Sequence, residues 1–356
     1  MIWVIWRQHR TTILAAVGAI LALTIVALIC GVAIRGSARP IAFGTMFGCP
    51  KTGDGAGPCW SESSLTLITL GTTLLPALLG VLVGVTAFSR DIERGTHVVG
   101  LSQSVSRTRW YWTRLLVVFV PVTAAMALLG SVLEWTRSAG LESNYAYAST
   151  GVWYGYSRLT FPLFQSSGLV AAAYTFLALI LGSLAALLLR NTLGAMVVTL
   201  AAMCAVTVSF QLGARPHYTA PAVEAQTIDG PGRTVAYRPD DENRNVWLLS
   251  SGFVDADGKG VEFDYSECGQ IGGDEDWGQR PDETLTEYEA REDAINAAMN
   301  HEFTACQERQ GIDRFEFRYH PDSLLRRFQL TEAAIALALS ALLLIPSMWA
   351  LRRLRP

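Results

Sequence analysis

Charge is scarce in this chain: 17% of its 356 residues are Asp, Glu, Lys or Arg, 51% are hydrophobic, and mean hydropathy is +0.29. A soluble domain carries about a quarter of its residues as charges. No charged residue falls in the middle of a long apolar run; Glu134 and Glu332 lie at run ends. Ion-coupled carriers and intramembrane enzymes place ionisable groups mid-membrane, so this absence weakens both classes and moves the energy source outside the chain. A phosphate-cradling loop is also missing. Gly252 and Gly258 have five residues between them where the motif has four, and Lys259 is followed by Gly260 instead of Ser or Thr. A calcium loop starting at Asp255 would need Glu at its twelfth position and has Ser266. His301-Glu302 begins like a zinc-protease helix, but the residue four after His301 is Ala305. The chain is therefore expected to be no enzyme and to bind no cofactor or metal itself; a zinc cluster of Cys268, His301, Cys306 and His320 is the one alternative its ligand types allow.

What the chain has is long apolar runs, six of them: Thr12 to Ile34, Leu65 to Phe88, Leu115 to Trp135, Ser167 to Leu189, Thr192 to Leu212 and Leu330 to Ala350. About 20 apolar residues cross the hydrocarbon core, and backbone in lipid must satisfy its own hydrogen bonds, so these runs predict transmembrane helices. Between the fifth and sixth runs lies a polar insert. Residues 213–329 hold 12 Lys and Arg against 24 Asp and Glu, whereas the rest of the chain is net basic, so the overall charge of −3 describes neither part.

Basic residues in short loops orient the spans, because long domains cross the membrane whatever their charge. One side holds Arg7, Arg10, Arg90, Arg94, Arg107, Arg109, Arg114, Arg190, Arg352, Arg353 and Arg355; the other holds Arg35, Arg39, Lys51, Arg137 and Arg158. Both termini are expected to be cytoplasmic and the acidic insert extracytoplasmic. The six cysteines agree with that map. Cys30 and Cys204 fall within spans, Cys49 and Cys59 share the first outer loop, and Cys268 and Cys306 share the insert. Disulfides Cys49–Cys59 and Cys268–Cys306 are the expected pairs, with free thiols the alternative; the chain-entropy model gives about 3 and about 4 kcal/mol for the two loops. The first apolar run exceeds the roughly 7 to 15 residues of a signal-peptide core, so an uncleaved anchor is expected.

Trp3 and Trp6 beside Arg7 and Arg10 suit the headgroup region, and residues 1–11 are read as a cytoplasmic interfacial helix. Pro76 and the pair Gly80 and Gly84 predict a bend and close helix contact in the second span. Arg190 and Asn191 alone join spans four and five, which forces an antiparallel hairpin. In the insert, VWLLSSGFVDADGKGVEF reads as a hairpin turning at Asp257-Gly258, Pro281 to Gln310 as a helix, and FEFRYH as a strand. The predicted fold class is an α-helical polytopic membrane protein with six transmembrane helices and an extracytoplasmic α+β domain between helices 5 and 6. Its divisions are 1–11, 12–212 with a cytoplasmic loop at 89–112, the domain at 213–329, and 330–356 as the sixth helix and basic tail.

The segment Arg90-Asp91-Ile92-Glu93-Arg94-Gly95-Thr96, followed by Ser102 to Trp110, resembles the Glu-x-Gly-Thr cytoplasmic loop of type-2 ABC exporter permeases. Trp6 to Arg10, Leu189 to Thr192, and Tyr319-His320-Pro321 leading to Phe328-Gln329 and Glu332 are similar to that family in the same order, most closely to its members from high-GC Gram-positive bacteria. The resemblance implies a permease subunit in a bacterial plasma membrane, paired with a second copy of itself and with a separate ATP-binding subunit that holds ATP and Mg. It further implies that Arg90, Asp91, Glu93, Gly95 and Thr96 couple to that ATPase, and that the substrate is hydrophobic or amphipathic: a drug, peptide or lipid. No nucleic-acid partner is expected. The large insert departs from the plain family pattern. A membrane-anchored sensor or scaffold whose outer domain binds a ligand is the alternative from another class, with an ion-coupled carrier behind it.

Overall fold

The computed structural model describes residues 2–36, 60–93, 106–138, 157–226, 246–268, 271 and 277–353. The chain divides into two compact units, Met1–Thr219 with Asp322–Pro356, and Ala220–Pro321. Six helices of the first unit are long and apolar enough to cross a membrane: Ile2–Arg35, Ser63–Glu93, Arg107–Ser138, Gly168–Leu189, Thr192–His217 and Asp322–Arg352. Each expected run falls on one of them. Ile2–Arg35 is a single unbroken helix. The expected interfacial helix over residues 1–11 is therefore its first part and not a separate element, since neither Pro nor Gly occurs before Gly18 to break the ladder.

The fourth span is the central one, 72% buried along its apolar window against 22% for the fifth. Small residues let it touch its neighbours backbone to backbone. A Cβ at Gly182 would stand 2.3 Å from the Gly80 carbonyl oxygen, and one at Gly84 would stand 2.8 Å from that of Leu179. Both contacts fall on a π-helical turn, Gly80–Val85, which follows Pro76, whose missing N–H already weakens the ladder. A second close approach joins spans three and four, where a Cβ on Gly130 would meet the Gly168 Cα at 2.6 Å. These are the close approaches that small residues permit in membrane helix pairs.

The fifth span continues five residues past its expected end at Leu212. A π-helical turn, Ser209–Ala214, absorbs Gly213, and a 3-10 turn, Arg215–His217, follows with Pro216 at a position that needs no N–H. The inserted unit is accordingly narrower than 213–329. Between spans three and four, residues 157–167 form consecutive turns that bury Leu159, Leu163, Phe164 and Ser166.

The second unit carries a four-stranded antiparallel sheet in the order β1-β4-β2-β3: β1 is Ala222–Gln226, β2 Trp247–Val254, β3 Gly260–Val261 and β4 Arg314–His320. The β2–β3 hairpin turns where expected. Asp255 Oδ1 accepts from the N–H groups of Asp257 and Lys259 at 3.0 and 2.8 Å, and Gly258 takes φ +79°, a conformation glycine adopts without strain. Helix Leu285–Arg309 starts on a capping box, Thr284 and Glu287 each satisfying the other's backbone N–H. Phe263, Cys268, Cys306 and Ile312 form the core of this unit, with Phe253 and Phe303 against it. Cys268 and Cys306 are joined by a disulfide, which takes both sulfurs from the alternative zinc cluster; among the described residues no group of three or more metal-ligating side chains gathers. Cys49 and Cys59 lie outside the described residues.

Candidate functional site

Charged side chains inside the helical unit collect at its two ends. At one end the starts of spans one and three meet the end of span two. Arg114, 3% exposed, forms an ion pair with Asp91 and donates from Nη1 to the Ala87 carbonyl at 2.6 Å. Gln8 Nε2 donates to both Asp91 oxygens at 3.0 and 3.2 Å, while Gln8 Oε1 accepts from Arg114 at 3.4 Å. Phe88 and Trp110 supply ring faces to the guanidinium, the latter at 4.3 Å. Three helices are thereby tied through one guanidinium, an arrangement a planar five-donor group can serve and an ammonium cannot.

The same end carries three further ties. Glu93 Oε1 accepts from the N–H of Thr192 at 2.6 Å, joining span two to the start of span five. Tyr111 and Ser183 place their hydroxyls 3.1 Å apart, joining spans three and four. Arg107 donates to the Arg352 carbonyl at 3.0 Å, joining spans three and six. Of the residues expected to couple to a partner, Asp91 is thus turned inward, Glu93 reaches the next hairpin, and Arg90 is exposed. Gly95 and Thr96 lie outside the described residues. Trp3, Trp6, Arg7 and Arg10 fall on the first turns of the first span, where Trp3 and Trp6 are exposed and the Arg7 guanidinium lies 5.4 Å from the Trp3 ring.

At the opposite end Arg215 and Glu332, both fully buried, form a two-pronged pair: Nε to Oε2 at 2.9 Å and Nη2 to Oε1 at 2.7 Å. Tyr174 and Tyr218 donate their hydroxyls to the two oxygens of Glu332, and Arg215 Nη1 reaches the Leu159 carbonyl at 3.2 Å. The Phe164 ring lies 3.9 Å from the guanidinium. Burial, then the facing Glu332 charge, pushes the Tyr218 hydroxyl well above its usual range, so it remains a proton-bearing donor. On the same turns that supply the Leu159 carbonyl, Arg137 donates to Leu163 and Ser166 at 2.9 and 2.6 Å, and to Thr69 at 3.0 Å, holding the 157–167 turns onto spans two and three.

Sequence reading placed Arg215 outside the membrane and Glu332 merely at a span end, so it missed the pair. Glu332 lies about 10 Å into its helix from Leu325, at 1.5 Å per residue. The signal that was available is Glu332 itself, an acidic residue in an apolar run, which by default demands a basic partner. Nothing short of the fifth span's extension shows that the partner is 117 residues away.

Six apolar helices with buried, mutually satisfied charges at both ends define a polytopic membrane protein. A family model described as ABC-2 membrane transporter related matches residues 11–215, more than half of the chain, and the chain belongs to that family. It is by that membership a permease-type transport subunit, and membrane subunits of the family work with an ATP-binding partner. Comparisons with curated proteins and with solved structures give no significant match.

Proposed function

We propose that the chain is the membrane subunit of an ATP-driven exporter in a bacterial plasma membrane, working as a dimer of identical chains beside a separate ATP-binding subunit that carries ATP, Mg and all hydrolysis. The end bearing Gln8, Asp91 and Arg114 faces the cytoplasm and the ATPase; the Arg215–Glu332 end and the inserted domain face outward. The substrate is hydrophobic or amphipathic, entering a path made by helices and no catalytic group. One observation carries this reading: the span that leads into the Glu-x-Gly-Thr loop is fastened, through Asp91 and Glu93, to spans one, three and five. A loop moved by a partner would pull on a rigid assembly and not on a frayed tail.

Co-purification from cells expressing the neighbouring genes tests it. An ATP-binding subunit recovered in equal amounts, with ATPase activity dependent on the chain, is the expected result. A clean preparation of this chain alone under the same conditions would sink the reading, and accessibility labelling of cysteines placed at Arg90 and Arg318 would settle the sides independently.

A further inference from the structure

The Glu93 carboxylate accepts the backbone N–H of a residue 99 positions later, Thr192. Thr192 opens the fifth span, so this N–H is one of the donors a helix start leaves without an intrahelical partner. Asn191 caps another, its Oδ1 accepting from Gly194 N at 2.8 Å. Glu93 adds a full negative charge where the helix dipole favours one. The turn it grips has little freedom. Arg190 takes φ 52°, unusual for a residue with a side chain, and only the extended Asn191 separates it from the start of span five.

We propose that Glu93 acts within this chain as a transmission residue, fastening the loop after span two to the turn between spans four and five. Resting on the coupling reading above, this changes the task of its acidic residue: the working contact of the carboxylate is the Thr192 N–H and not the surface of the ATP-binding partner. A stroke delivered to the loop reaches span five through that hydrogen bond. It reaches span four by the same turn, and span four already meets span two backbone to backbone at Gly182. Spans two, four and five then move as one block.

Thr192→Pro isolates the contact. Proline is well accommodated at the first helical position, the extended Asn191 suits a following proline, and the Thr192 hydroxyl makes no hydrogen bond that would be lost. The full chain with its ATP-binding partner is placed in lipid vesicles, with spin labels at the exposed positions Arg90 and Arg190. Label distances are read with and without ATP and vanadate, and ATPase activity is read on the same variants without labels, because Arg90 belongs to the expected coupling loop. Thr192→Pro and Glu93→Ala are each expected to broaden the distance distribution and to lower partner-coupled activity about fivefold or more, with the double variant no worse than either single one. Glu93→Gln, which keeps an acceptor, falls between them and wild type. Wild-type distances and activity in Thr192→Pro beside an impaired Glu93→Ala overturn the proposal, as do additive losses. Label distances in the chain without a partner report the link by themselves. Loss of the coupling reading therefore shows as absent ATPase activity, and loss of this proposal shows as unchanged distances.

Discussion

In the helical unit, Arg215 and Glu332 are both fully buried and every oxygen of the carboxylate is met by at least two donors. In the inserted unit, Arg314 spreads its donors over Asp313 and Glu316 while its own side chain stays 30% exposed. The two regions use the same chemistry under different solvents. A charge in an apolar interior has no water to fall back on, so removing its partner leaves an uncompensated ion; at a wet surface the partner is replaced by solvent. The first unit therefore buries few charges and holds those it buries with named partners, and the second carries many at its surface and depends little on any one of them. Glycine divides the same way, serving close helix approach at Gly182 and a left-handed turn at Gly258.

The hardest test of that contrast is to break the buried pair. Arg215→Ala or Glu332→Ala should cost about 3–5 kcal/mol, read as a lowered unfolding midpoint in detergent, because each leaves a buried charge unpaired. Replacing both by leucine should recover much of the loss, since two apolar side chains need no partner. Arg318→Ala, at a side chain 47% exposed, is the surface control and should barely register. Equal losses in the buried and surface variants would erase the distinction between the units.

Next comes the disulfide. Cys306→Ser should cost the inserted unit about 2–4 kcal/mol, and limited proteolysis should open Ala220–Pro321 before the spans are cut. Cleavage starting in the spans instead would mean that the two units do not unfold separately. A smaller effect is expected at the helix crossing. Gly182→Ala drives a methyl into the Gly80 carbonyl and should cost about 1–3 kcal/mol, whereas Gly71→Ala has open space around it and should be neutral or slightly stabilising.

The comparison also explains what could be read in advance. The six spans were legible because bilayer thickness imposes a length and a composition on each run separately. The hairpin at Asp257-Gly258 and the strand FEFRYH were legible for a similar reason, since turn residues act within a few positions; the helix was expected from Pro281 and starts at Leu285, on a capping box the reading passed over. Strand β1, Ala222–Gln226, escaped because five residues with no alternation gain their identity from pairing with β4. Arg114 was visible only as a topology marker, and Asp91 only as a loop residue that the family resemblance made a coupling candidate. Their meeting with Gln8, and that of Arg215 with Glu332, depends on which helices pack, and no local pattern encodes that.

The smallest effect separates the units by pH. In the inserted domain, Arg291 grips Glu283 with two hydrogen bonds of 2.8 and 2.9 Å, and the Arg280 N–H adds a third at 3.1 Å. The Arg291 bonds first, then that backbone donor, hold the Glu283 carboxyl at a pKa of about 2, below its ordinary 4.5. A depressed carboxyl favours folding wherever the unfolded chain would bind the proton more readily. Its contribution is complete above pH 4.5 and drains away as pH falls toward 2. Arg291→Ala removes the grip, so the gap between wild-type and variant unfolding midpoints should be widest at neutral pH and should close across that window. A gap that stays constant down to pH 2 would assign the role of Arg291 to its packing over the Tyr288 ring, 5.5 Å away. The charge pair would then contribute nothing, and the wet unit would depend on its charges even less than the comparison claims.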